Sequence, residues 1–549
     1  MLQLSLPLIL LLCAGQNDGQ EIRRGLNSEQ IVSYVGTLTA RHRIISDLIV
    51  SVGGGQILFD IETDSNPDDA PWLSVFNVTE GKFRQAERTY SAQGYRLAIH
   101  ESATIRRRTF HSAVWFQESA ELPGMEIPDV PLPEAGATEK SLAPLNELMR
   151  SFLKENHLPG ATLAASRDGR MVYARGFGFA DLDAREPMVP ESMMRIASIS
   201  KPITAVAVLR LVQDGRLQLN DLALDWIRKL DGIPEAESPG DARWQQITIR
   251  DLLDHTGGWD RDVTPDPMFR GSLIQSALRL SQPPASIDYV RYQLTQRLDF
   301  DPGTRTAYSN FGYCLLGRII EAVTGDSYND YVATSLLSPA GMQQTFPGRT
   351  RADQRRKGEV VYHTQLLDSR TPFWQGATTR RQRGIPELVT RPYGHWDLEC
   401  MDAHGGWISS APDLLRFLRQ LEADSDPLIG RESRQLMLQP PTFADPWVWY
   451  SCGWNVRPSA NGDHTYWHTG RLAGTSSLLV RRQDGWSWAI LFHCDSCADG
   501  ENAAMKIDPL VHTAIARITD VPAWDLFEEN GKLALSPTSE RNENRNNVP

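Results

Sequence analysis

The spacing of apolar residues predicts a large α+β domain between residues 141 and 527. Apolar side chains recur at helical intervals from Leu145 to Leu153, and this spacing indicates an amphipathic first helix. Because strands are predicted at both ends and helices in the middle, the pattern indicates a mixed sheet packed against a helical subdomain. The predicted strands and the last helix lie at 161–166, 171–176, 477–481, 486–492 and 505–518.

A smaller α+β unit is predicted at 21–118, where two short segments can be overlaid. The offset in numbering is 95 − 57 = 38 at the first matched strand and 112 − 74 = 38 at the second. The pattern resembles a bacterial tandem-repeat domain of a kind that precedes serine hydrolases, and the alternative is an α+β domain with accidental similarity. Each copy is predicted to hold one helix, at 43–52 and 83–92, and two strands, at 56–61 and 72–76 and at 94–99 and 110–115.

Three further segments are predicted to lie outside these two domains. The apolar stretch Leu2–Cys13 has the length of a signal-peptide core and is followed by small residues, so residues 1–15 are interpreted as an export signal. Four prolines between 119 and 140 predict an extended linker. The polar tail at 528–549 is predicted to be disordered. The protein is therefore expected to be exported, to a periplasm or to the extracellular space.

Net charge and hydropathy exclude two classes of partner. The 549 residues carry 56 basic and 68 acidic side chains, a formal net charge of 56 − 68 = −12. No overall positive field is available to hold a phosphate backbone, so nucleic acid is not expected as a partner. After the amino-terminal stretch, no segment reaches the roughly 18 uninterrupted apolar residues of a membrane span, so stable membrane insertion is not expected.

The six cysteines favour structural thiols over a metal or redox centre. Removal of the one in the export signal leaves five, so at least one is unpaired or pairs between chains. Cys314 lies in an apolar helical pattern and is expected to be a buried thiol. Cys494 and Cys497 have no second pair at zinc-ribbon spacing, which leaves a local disulfide or two inert thiols. His404 and His493 lack partners at ligand spacing, and neither a metal nor another cofactor is predicted.

The strongest chemical motif is Ser198-Ile199-Ser200-Lys201, at the start of a long apolar run. The run predicts a buried helix, and Pro202 belongs in its first turn, where a missing N–H has no cost. A serine and a lysine three residues apart lie on one helical face, close enough for the amine to accept the hydroxyl proton. A capping serine with a surface lysine is the alternative, and the apolar surroundings of Lys201 argue against it.

Two more motifs follow in the chain. Tyr308–Asn310 (Tyr-Ser-Asn) follows the serine at an interval of 308 − 198 = 110 in numbering and stands at the mouth of a predicted helix. His468–Arg471 (His-Thr-Gly-Arg) borders a predicted strand. The three motifs together resemble those of the class C β-lactamase and D-alanyl-D-alanine carboxypeptidase superfamily of serine hydrolases, over about Ser141 to Val511. The resemblance implies a β-lactamase/transpeptidase-like fold, in which a helical subdomain is combined with an antiparallel sheet.

The resemblance also implies a role for each motif residue. Ser198 attacks a carbonyl and is acylated, and Lys201 and Tyr308 share the general base and acid work. Which of the two is deprotonated stays open, although a lysine desolvated on an apolar helix has a lowered pKa. The backbone N–H groups of Ser198 and Arg471 are expected to form an oxyanion hole. The residues implied in substrate binding are Asn310, His468, Thr469, Gly470 and Arg471.

Two histidines decide details of this assignment. His255 begins a second His-Thr-Gly, but it precedes the tyrosine motif and ends a predicted helix at 247–253, so it is interpreted as structural. His468 stands where β-lactamases usually carry lysine, and a neutral imidazole anchors a substrate carboxylate less strongly than an ammonium. Peptidase or esterase activity therefore ranks above true β-lactamase activity. An insertion at 349–402 is expected to shape the cleft.

The sequence thus predicts an exported serine hydrolase that forms an acyl-enzyme on peptide, peptidoglycan-like or ester substrates. Tandem repeats also precede the catalytic domain of polyglycine hydrolases, so an endopeptidase of that type is a further alternative. A penicillin-binding or peptidoglycan-binding pseudoenzyme is the alternative from a different class. The acyl donor, the acyl acceptor and the oligomeric state are not given by the sequence.

Overall fold

The computed structural model describes residues 21–528, with gaps at 39–40, 42, 54, 66–71, 93–94, 106–107, 118–130, 234–238, 281, 364–369, 373–387, 395, 426 and 460–461. The predicted export signal lies outside the described residues, as do most of the predicted linker, nearly all of the predicted tail and part of the 349–402 insertion. The chain divides into two compact units, Met1–Leu122 with Ser369–Val389, and Pro123–Asp368 with Thr390–Pro549.

The amino-terminal part is built twice on one plan, in which a strand and a helix are followed by two strands. Its sheets have the strand orders β1-β3-β2 and β4-β6-β5, so each copy has the same topology. The elements are β1 (Glu21–Leu26), α1 (Ser28–Val35), β2 (Arg43–Gly53), β3 (Gln56–Ser65), β4 (Trp72–Thr79), α2 (Glu80–Ala92), β5 (Tyr95–Ile105) and β6 (Arg108–Gln117).

The two copies are related by a constant offset in numbering. It is 95 − 43 = 52 between the starts of β2 and β5, and 108 − 56 = 52 between the starts of β3 and β6. Gly25 and Asn77, which obey the same offset, both have positive φ, 63° and 53°. The shifts of strand register also coincide, at Arg23/Leu26 and Val75/Val78, and at Ile45/Asp47 and Leu97/Ile99.

The predicted offset of 38 is therefore wrong, because it matched β3 with β5 and β4 with β6. The helix predicted at 43–52 is also wrong, since these residues form strand β2. Five of them are isoleucine or valine, whose branched side chains favour the extended backbone of a strand. The helix predicted at 83–92 is confirmed by α2, and the four predicted strands coincide with β3, β4, β5 and β6.

One apolar core joins the two copies. Leu48 and Phe59 of the first copy are buried in the same cluster as Val114 of the second. The ring of Phe59 lies 5.9 Å from that of Phe76, which belongs to β4. Neither copy therefore completes this core by itself.

The copies differ at the positions that face their helices. Leu48 and Phe59 of the first copy correspond, at the same offset, to His100 and His111 of the second. His100 Nε2 lies 3.0 Å from His111 Nδ1, and His111 Nε2 lies 2.6 Å from Glu80 Oε2. The Phe83 ring stacks on both imidazoles at 4.3 and 5.1 Å between centroids. In the second copy, contacts among His100, His111 and Glu80 thus take the place of the apolar side chains Leu48 and Phe59 of the first.

The remaining chain contains the larger sheet and most of the helices. Its helices are α3 (Ala143–Glu155), α4 (Ser200–Gln213), α5 (Ala223–Ile227), α6 (Ile249–Leu253), α7 (Gly271–Ala277), α8 (Ser286–Leu294), α9 (Asn310–Thr324), α10 (Tyr328–Val332), α11 (Ala411–Glu422), α12 (Arg431–Leu438) and α13 (Ala503–Ala516). Its strands are β7 (Glu134–Ala137), β8 (Gly160–Arg167), β9 (Arg170–Asp181), β10 (Glu186–Pro187), β11 (Met194–Arg195), β12 (Phe346–Pro347), β13 (Arg370–Pro372), β14 (Leu388–Thr390), β15 (Trp407–Ser409), β16 (Trp449–Ser451), β17 (Trp454–Pro458), β18 (His464–Leu472), β19 (Thr475–Arg481) and β20 (Trp486–Phe492).

The large sheet is antiparallel, with the strand order β10-β9-β8-β20-β19-β18-β17-β16, and β7 also pairs with β9. Helices α3 and α13 cover one face, where Phe152 and Ile507 pack against Trp488. Helices α4, α9 and α11 contribute to the core that includes the other face, next to Leu479 and Leu491. The antiparallel sheet that the family resemblance implies is thus confirmed and lies between two helical layers, and the predicted terminal strands and helices are confirmed.

The end of the predicted linker is a strand. Residues Glu134–Ala137 form β7, which adds to the large sheet beside β9. Gly136 has a φ of 101°, and a Cβ there would lie 2.3 Å from the carbonyl oxygen of Ala174, so this strand requires glycine for its close approach. Residues 134–137 of the predicted linker thus belong to the large sheet, and most of the remaining linker lies outside the described residues.

Within the described part of the chain, no helix combines the length and the apolar character that a membrane crossing requires.

The shared core of the two amino-terminal copies generates a prediction. Phe59→Ala is expected to lower the free energy of unfolding of this unit by about 3–5 kcal/mol, because Phe59 is fully buried between both copies. Amide hydrogen exchange in β3 and β6 would measure the loss. The matched control is Val52→Ala, whose side chain is 51% exposed and should change stability by less than about 0.5 kcal/mol. Loss of protection in β3 alone would contradict a shared core.

Candidate active site

Ser198 lies in a short 3-10 turn, Ala197–Ile199, that leads directly into α4. Ala197 has a φ of 47°, in the left-handed region that residues with a Cβ rarely adopt. The backbone before the turn is held by β19, because Thr475 Oγ1 donates to the carbonyl of Arg195 at 2.7 Å and Ser477 Oγ donates to that of Ile196 at 2.8 Å. The strained turn is thus fixed from outside, and Ser198 is only partly buried.

Lys201 is fully buried in the first turn of α4, next to Ser198. Its Nζ lies 3.1 Å from Ser198 Oγ, 2.7 Å from Asn310 Oδ1 and 3.0 Å from the carbonyl oxygen of His404. Burial lowers the pKa of Lys201 well below its usual value. The negative charge of Asp266 opposes this shift, and the positive charge of Arg261 adds to it. A neutral amine with two N–H groups directed at the two carbonyl oxygens has its lone pair left for Ser198.

Tyr308 lies on the other side of Ser198 and shares a hydrogen bond with it. The Tyr308 ring centroid is 4.7 Å from Lys201 Nζ and 4.8 Å from the Arg261 guanidinium. Burial raises the pKa of Tyr308, while the hydrogen bond with Ser198 and the charge of Arg261 lower it less. The phenol therefore keeps its proton, and the electrostatics favour Lys201 as the deprotonated group.

Asn310 is the first residue of α9, and this position turns its amide toward Lys201. The helix starts here because the Ser309 side chain caps it, accepting from Gly312 N at 3.2 Å. Asn310 Nδ2 donates to Asp266 Oδ2 at 2.7 Å, while Oδ1 accepts from Lys201. The structure thus brings Ser198, Lys201, Tyr308 and Asn310 together, as the motifs predict.

Gly470 allows β18 to lie against the nucleophile turn. A Cβ at this position would lie 2.2 Å from the carbonyl oxygen of Ile196 and 2.2 Å from Ser477 Oγ. Arg471 follows on the strand, its side chain 49% exposed, with Nη2 donating to Ser496 Oγ at 3.0 Å. Thr469 is partly buried beside it. The third motif therefore contributes a backbone edge next to Ser198.

The surroundings of His468 do not suit a residue that anchors a substrate carboxylate. Its side chain is buried, Nδ1 lies 2.6 Å from the carbonyl oxygen of Thr469 and Nε2 lies 3.2 Å from the Tyr450 hydroxyl. Burial, with a smaller contribution from the charge of Lys201, lowers the pKa of His468 to about 3, so the imidazole is neutral. With Nδ1 donating to Thr469, Nε2 is the acceptor of the Tyr450 hydroxyl.

His255 packs behind the tyrosine motif. Its ring centroid lies 4.4 Å from those of Tyr308 and Tyr450, and its Nδ1 accepts from Ser309 N at 3.3 Å. The two His-Thr-Gly segments thus reach the same site from different sides, with His255 supporting the phenol of Tyr308.

Four residues near the nucleophile were missed by sequence reasoning. Asp266 and Tyr450 lie in no motif, and single residues of these types carry no pattern that would reveal them. His404 contributes its backbone carbonyl, which no side-chain signature reports. Ser477 was visible as a hydroxyl-rich stretch, Thr475–Ser477, at the start of an otherwise apolar strand, and that stretch could have indicated hydrogen bonds to a neighbouring backbone.

The described part of the 349–402 insertion contacts the strand that precedes the nucleophile. The buried Arg195 guanidinium donates to the carbonyl oxygens of Arg349 at 2.7 Å, Thr350 at 3.3 Å and Pro392. Its guanidinium carbon lies 4.5 Å from the centroid of the Tyr362 ring. The expected role of the insertion in shaping the cleft stays a prediction, since much of it lies outside the described residues.

The cysteines lie in apolar surroundings. Cys314, Cys400, Cys452, Cys494 and Cys497 are buried thiols. Burial raises the pKa of Cys314 to about 12 and that of Cys497 to about 11, which favours the protonated and unreactive form. Among the described residues, no group of three or more His, Cys, Asp or Glu side chains is arranged to hold a metal ion.

The close approach at Gly470 generates a prediction. Gly470→Ala should push β18 away from the Ser198 turn and lower kcat/KM by about a hundredfold or more, since small displacements of reacting groups have effects of this size. The control is Gly405→Ala, where the nearest heavy atom to an added Cβ is 3.9 Å away, in Ala197. Kinetics with one ester and a thermal melt of both variants provide the measurement. Equal activity in both would show that the contact has no role in placing the strand.

The sequence matches the Beta-lactamase family over residues 145–510. Penicillin-binding protein 4* of Bacillus subtilis (strain 168) is 28% identical over 338 residues, which are 60% of this chain and 67% of that protein. Protein flp of Staphylococcus aureus (strain COL) is 31% identical over 347 residues, 62% of this chain and 61% of that protein. The chain therefore spans about two thirds of these relatives or less.

A solved structure has the same fold. The octameric penicillin-binding protein homologue from Pyrococcus abyssi superposes with a TM-score of 0.51 at 23% identity, covering 68% of this chain and 77% of that one. The predicted α+β, β-lactamase/transpeptidase-like fold is thereby confirmed. With the family matched over most of its length, the chain belongs to the Beta-lactamase family of serine hydrolases, which includes penicillin-binding proteins.

Proposed function

We propose that this hydrolase cleaves amide or ester bonds of peptide-like substrates through an acyl-enzyme on Ser198, with Lys201 as the general base. The observation that carries the proposal is the 3.1 Å contact between Ser198 Oγ and the Nζ of a fully buried lysine. Burial lowers the pKa of Lys201 and so favours the neutral amine, which accepts a hydroxyl proton, whereas an ordinary surface lysine is already protonated.

In the acylation step, Lys201 takes the proton of Ser198 as Oγ attacks the carbonyl carbon. The oxyanion is held by the backbone N–H groups of Ser198 and Arg471, at the close approach of β18 to the nucleophile turn. Tyr308 gives its proton to the leaving amine or alkoxide and regains one from Lys201. Water then attacks the acyl-enzyme, its proton passes to the same groups, and Ser198 is released.

Asn310 holds the lysine in place for this transfer. Its Oδ1 and the carbonyl oxygen of His404 accept the two N–H groups of the neutral amine at 2.7 and 3.0 Å. Substrate binding, which the family resemblance implies for Asn310, is proposed as its second role.

The substrate class follows from the third motif. A neutral His468 that already engages Tyr450 and Thr469 has no charge and no unused N–H with which to hold a substrate carboxylate. Peptidase or esterase activity is therefore favoured over the class C β-lactamase activity that the motifs resemble. Thr469, Gly470 and Arg471 line the substrate strand. A penicillin-binding or peptidoglycan-binding pseudoenzyme is disfavoured, because the nucleophile, base and acid are all in contact.

The proposed location of the protein outside the cytoplasm is based on its sequence. Residues 1–15 have the features of an export signal, and a relative is named as a penicillin-binding protein, so peptidoglycan-like peptides outside the cytoplasm are proposed as substrates. The duplicated amino-terminal unit is proposed to bind a polymeric substrate or partner, as in a polyglycine-type endopeptidase.

A nucleophile test follows directly. Ser198→Ala should abolish labelling by a fluorophosphonate probe and lower ester hydrolysis by several orders of magnitude. Ser200→Ala is the matched control from the same motif, because Ser200 Oγ faces Trp407 N at 3.4 Å rather than Lys201. Intact-mass spectrometry with peptide mapping reports both results. Labelling that persists in Ser198→Ala would exclude this serine as the nucleophile.

The pH dependence of kcat/KM tests whether Lys201 is the general base. Because the pKa of Lys201 is lowered, kcat/KM should rise with pH as the amine loses its proton, with a midpoint well below the usual 10.5. The raised pKa of Tyr308 should keep the rate level up to at least about pH 9. Lys201→Arg should be inactive at every pH, since a guanidinium stays protonated. A midpoint near that of an exposed lysine would contradict a neutral base.

A third test concerns β-lactams. The wild type is expected to turn over a chromogenic cephalosporin slowly or not at all, and His468→Lys is expected to lower KM for carboxylate-bearing substrates by supplying an ammonium. Tyr450→Phe serves as the control, because it removes the hydroxyl that faces His468 without adding charge. Efficient hydrolysis of several β-lactams by the wild type would favour the β-lactamase alternative.

A further inference from the structure

Asp266 is a carboxylate at the active site that the proposed acylation step does not use. It precedes a short 3-10 turn, Pro267–Phe269, and accepts from Met268 N at 3.0 Å through Oδ1. Its other oxygen, Oδ2, accepts from Asn310 Nδ2 at 2.7 Å. A chain of hydrogen bonds thus runs from Asp266 through Asn310 and Lys201 to Ser198.

The carboxylate of Asp266 determines which atom donates and which accepts in this series of hydrogen bonds. Burial raises the pKa of Asp266, and the hydrogen bonds from Met268 N and Asn310 oppose this shift. Because both oxygens of Asp266 act as acceptors, the NH₂ end of the Asn310 amide faces Asp266 and its oxygen faces Lys201. With the amide reversed, an N–H group would be directed at the lysine. It would then compete with the Ser198 hydroxyl for the amine lone pair, and one amine N–H would lose its acceptor.

We propose that Asp266 is a positioning residue that fixes the Asn310 amide so that its oxygen holds the Lys201 amine with the lone pair directed at Ser198. The inference rests on the proposed function in one respect, namely that the lone pair of Lys201 accepts the proton of Ser198. The orientation itself is a property of the folded chain and can be measured without turnover.

The charge of Asp266 acts on the same lysine. The titratable side chains around Lys201 are Asp266, Arg261, His255, His404, His468, Tyr308 and Tyr313. Asp266 is the one acid among these, and its negative charge raises the pKa of Lys201, whereas Arg261 lowers it. Removing the charge should therefore lower the pKa of Lys201, an effect opposite to that of partial unfolding, which would return the pKa toward 10.5.

The test is Asp266→Asn, an isosteric change that removes the charge and allows either end of its own amide to face Asn310. We expect kcat to fall about tenfold to a hundredfold with a smaller change in KM, and the acid limb of the kcat/KM profile to move to lower pH by about one unit. The matched control is Asp262→Asn, an exposed acid in the same loop, which should leave both quantities unchanged. A profile that is unmoved or shifted to higher pH would overturn the proposal.

A double-mutant cycle tests whether Asp266 acts through Asn310. In an Asn310→Ala background, Asp266→Asn should lower kcat by less than about threefold, because no amide remains to be oriented. If the two losses simply multiply, Asp266 does not act through Asn310 and the proposal is wrong.

A readout without turnover separates this inference from the proposed function. The ¹³Cε resonance of Lys201, assigned by its loss in Lys201→Arg, reports the lysine pKa in the full-length wild type and in Asp266→Asn. A lower pKa in the variant supports the electrostatic part of the proposal, that the charge of Asp266 acts on Lys201, even if no ester is hydrolysed, whereas an unchanged or higher pKa overturns it. Loss of Ser198 labelling in the wild type would instead count against the proposed hydrolase alone.

Discussion

The burial of one amine is the constraint on which this site depends. A lysine withdrawn from water at the start of α4 is costly to charge, so burial lowers its pKa and favours the neutral amine, whose N–H groups bind oxygens from α9 and from the His404 backbone. The surrounding groups conform to this requirement. Burial also lowers the pKa of His255, His404 and His468, which favours their neutral imidazoles. The site is a cluster of uncharged donors and acceptors with Asp266 and Arg261 as its charged members.

Backbone strain and close packing supply the second half of the site. The left-handed residue before Ser198 holds its conformation because hydroxyls of β19 bind the carbonyls of the two residues that lead into the turn. Gly470 lets β18 come into contact with that turn. The Ser198–Lys201 turn, the start of α9 and strand β18 thus come from separate stretches of sequence, and packing against the large sheet brings them together. Chemical reactivity in this chain is a consequence of packing between α4, α9 and the sheet edge.

Sequence reasoning anticipated that the motif residues lie together because short motifs encode local geometry. Ser198 and Lys201 are one helical turn apart, and Asn310 follows a serine that caps its own helix, so each pair is fixed by neighbours in the chain. Asp266 and Tyr450 reach the site through tertiary packing, which leaves no local trace. The offset of the amino-terminal repeat was wrong for a related reason. Strands of similar composition match at several offsets, and the shared bulges and the positive φ of Gly25 and Asn77 became visible only in the fold.

The shared core of the amino-terminal copies has a consequence for synthesis. The first copy leaves the ribosome with Leu48 and Phe59 facing a core that the second copy must complete. The stretch of chain between the start of β3 and the start of β6 takes about 3–10 s to translate at common rates. During that interval the apolar face of the first copy is not covered by the second. Nascent chains with such exposed strands can associate with one another. A first copy without its partner would keep that apolar face exposed to solvent.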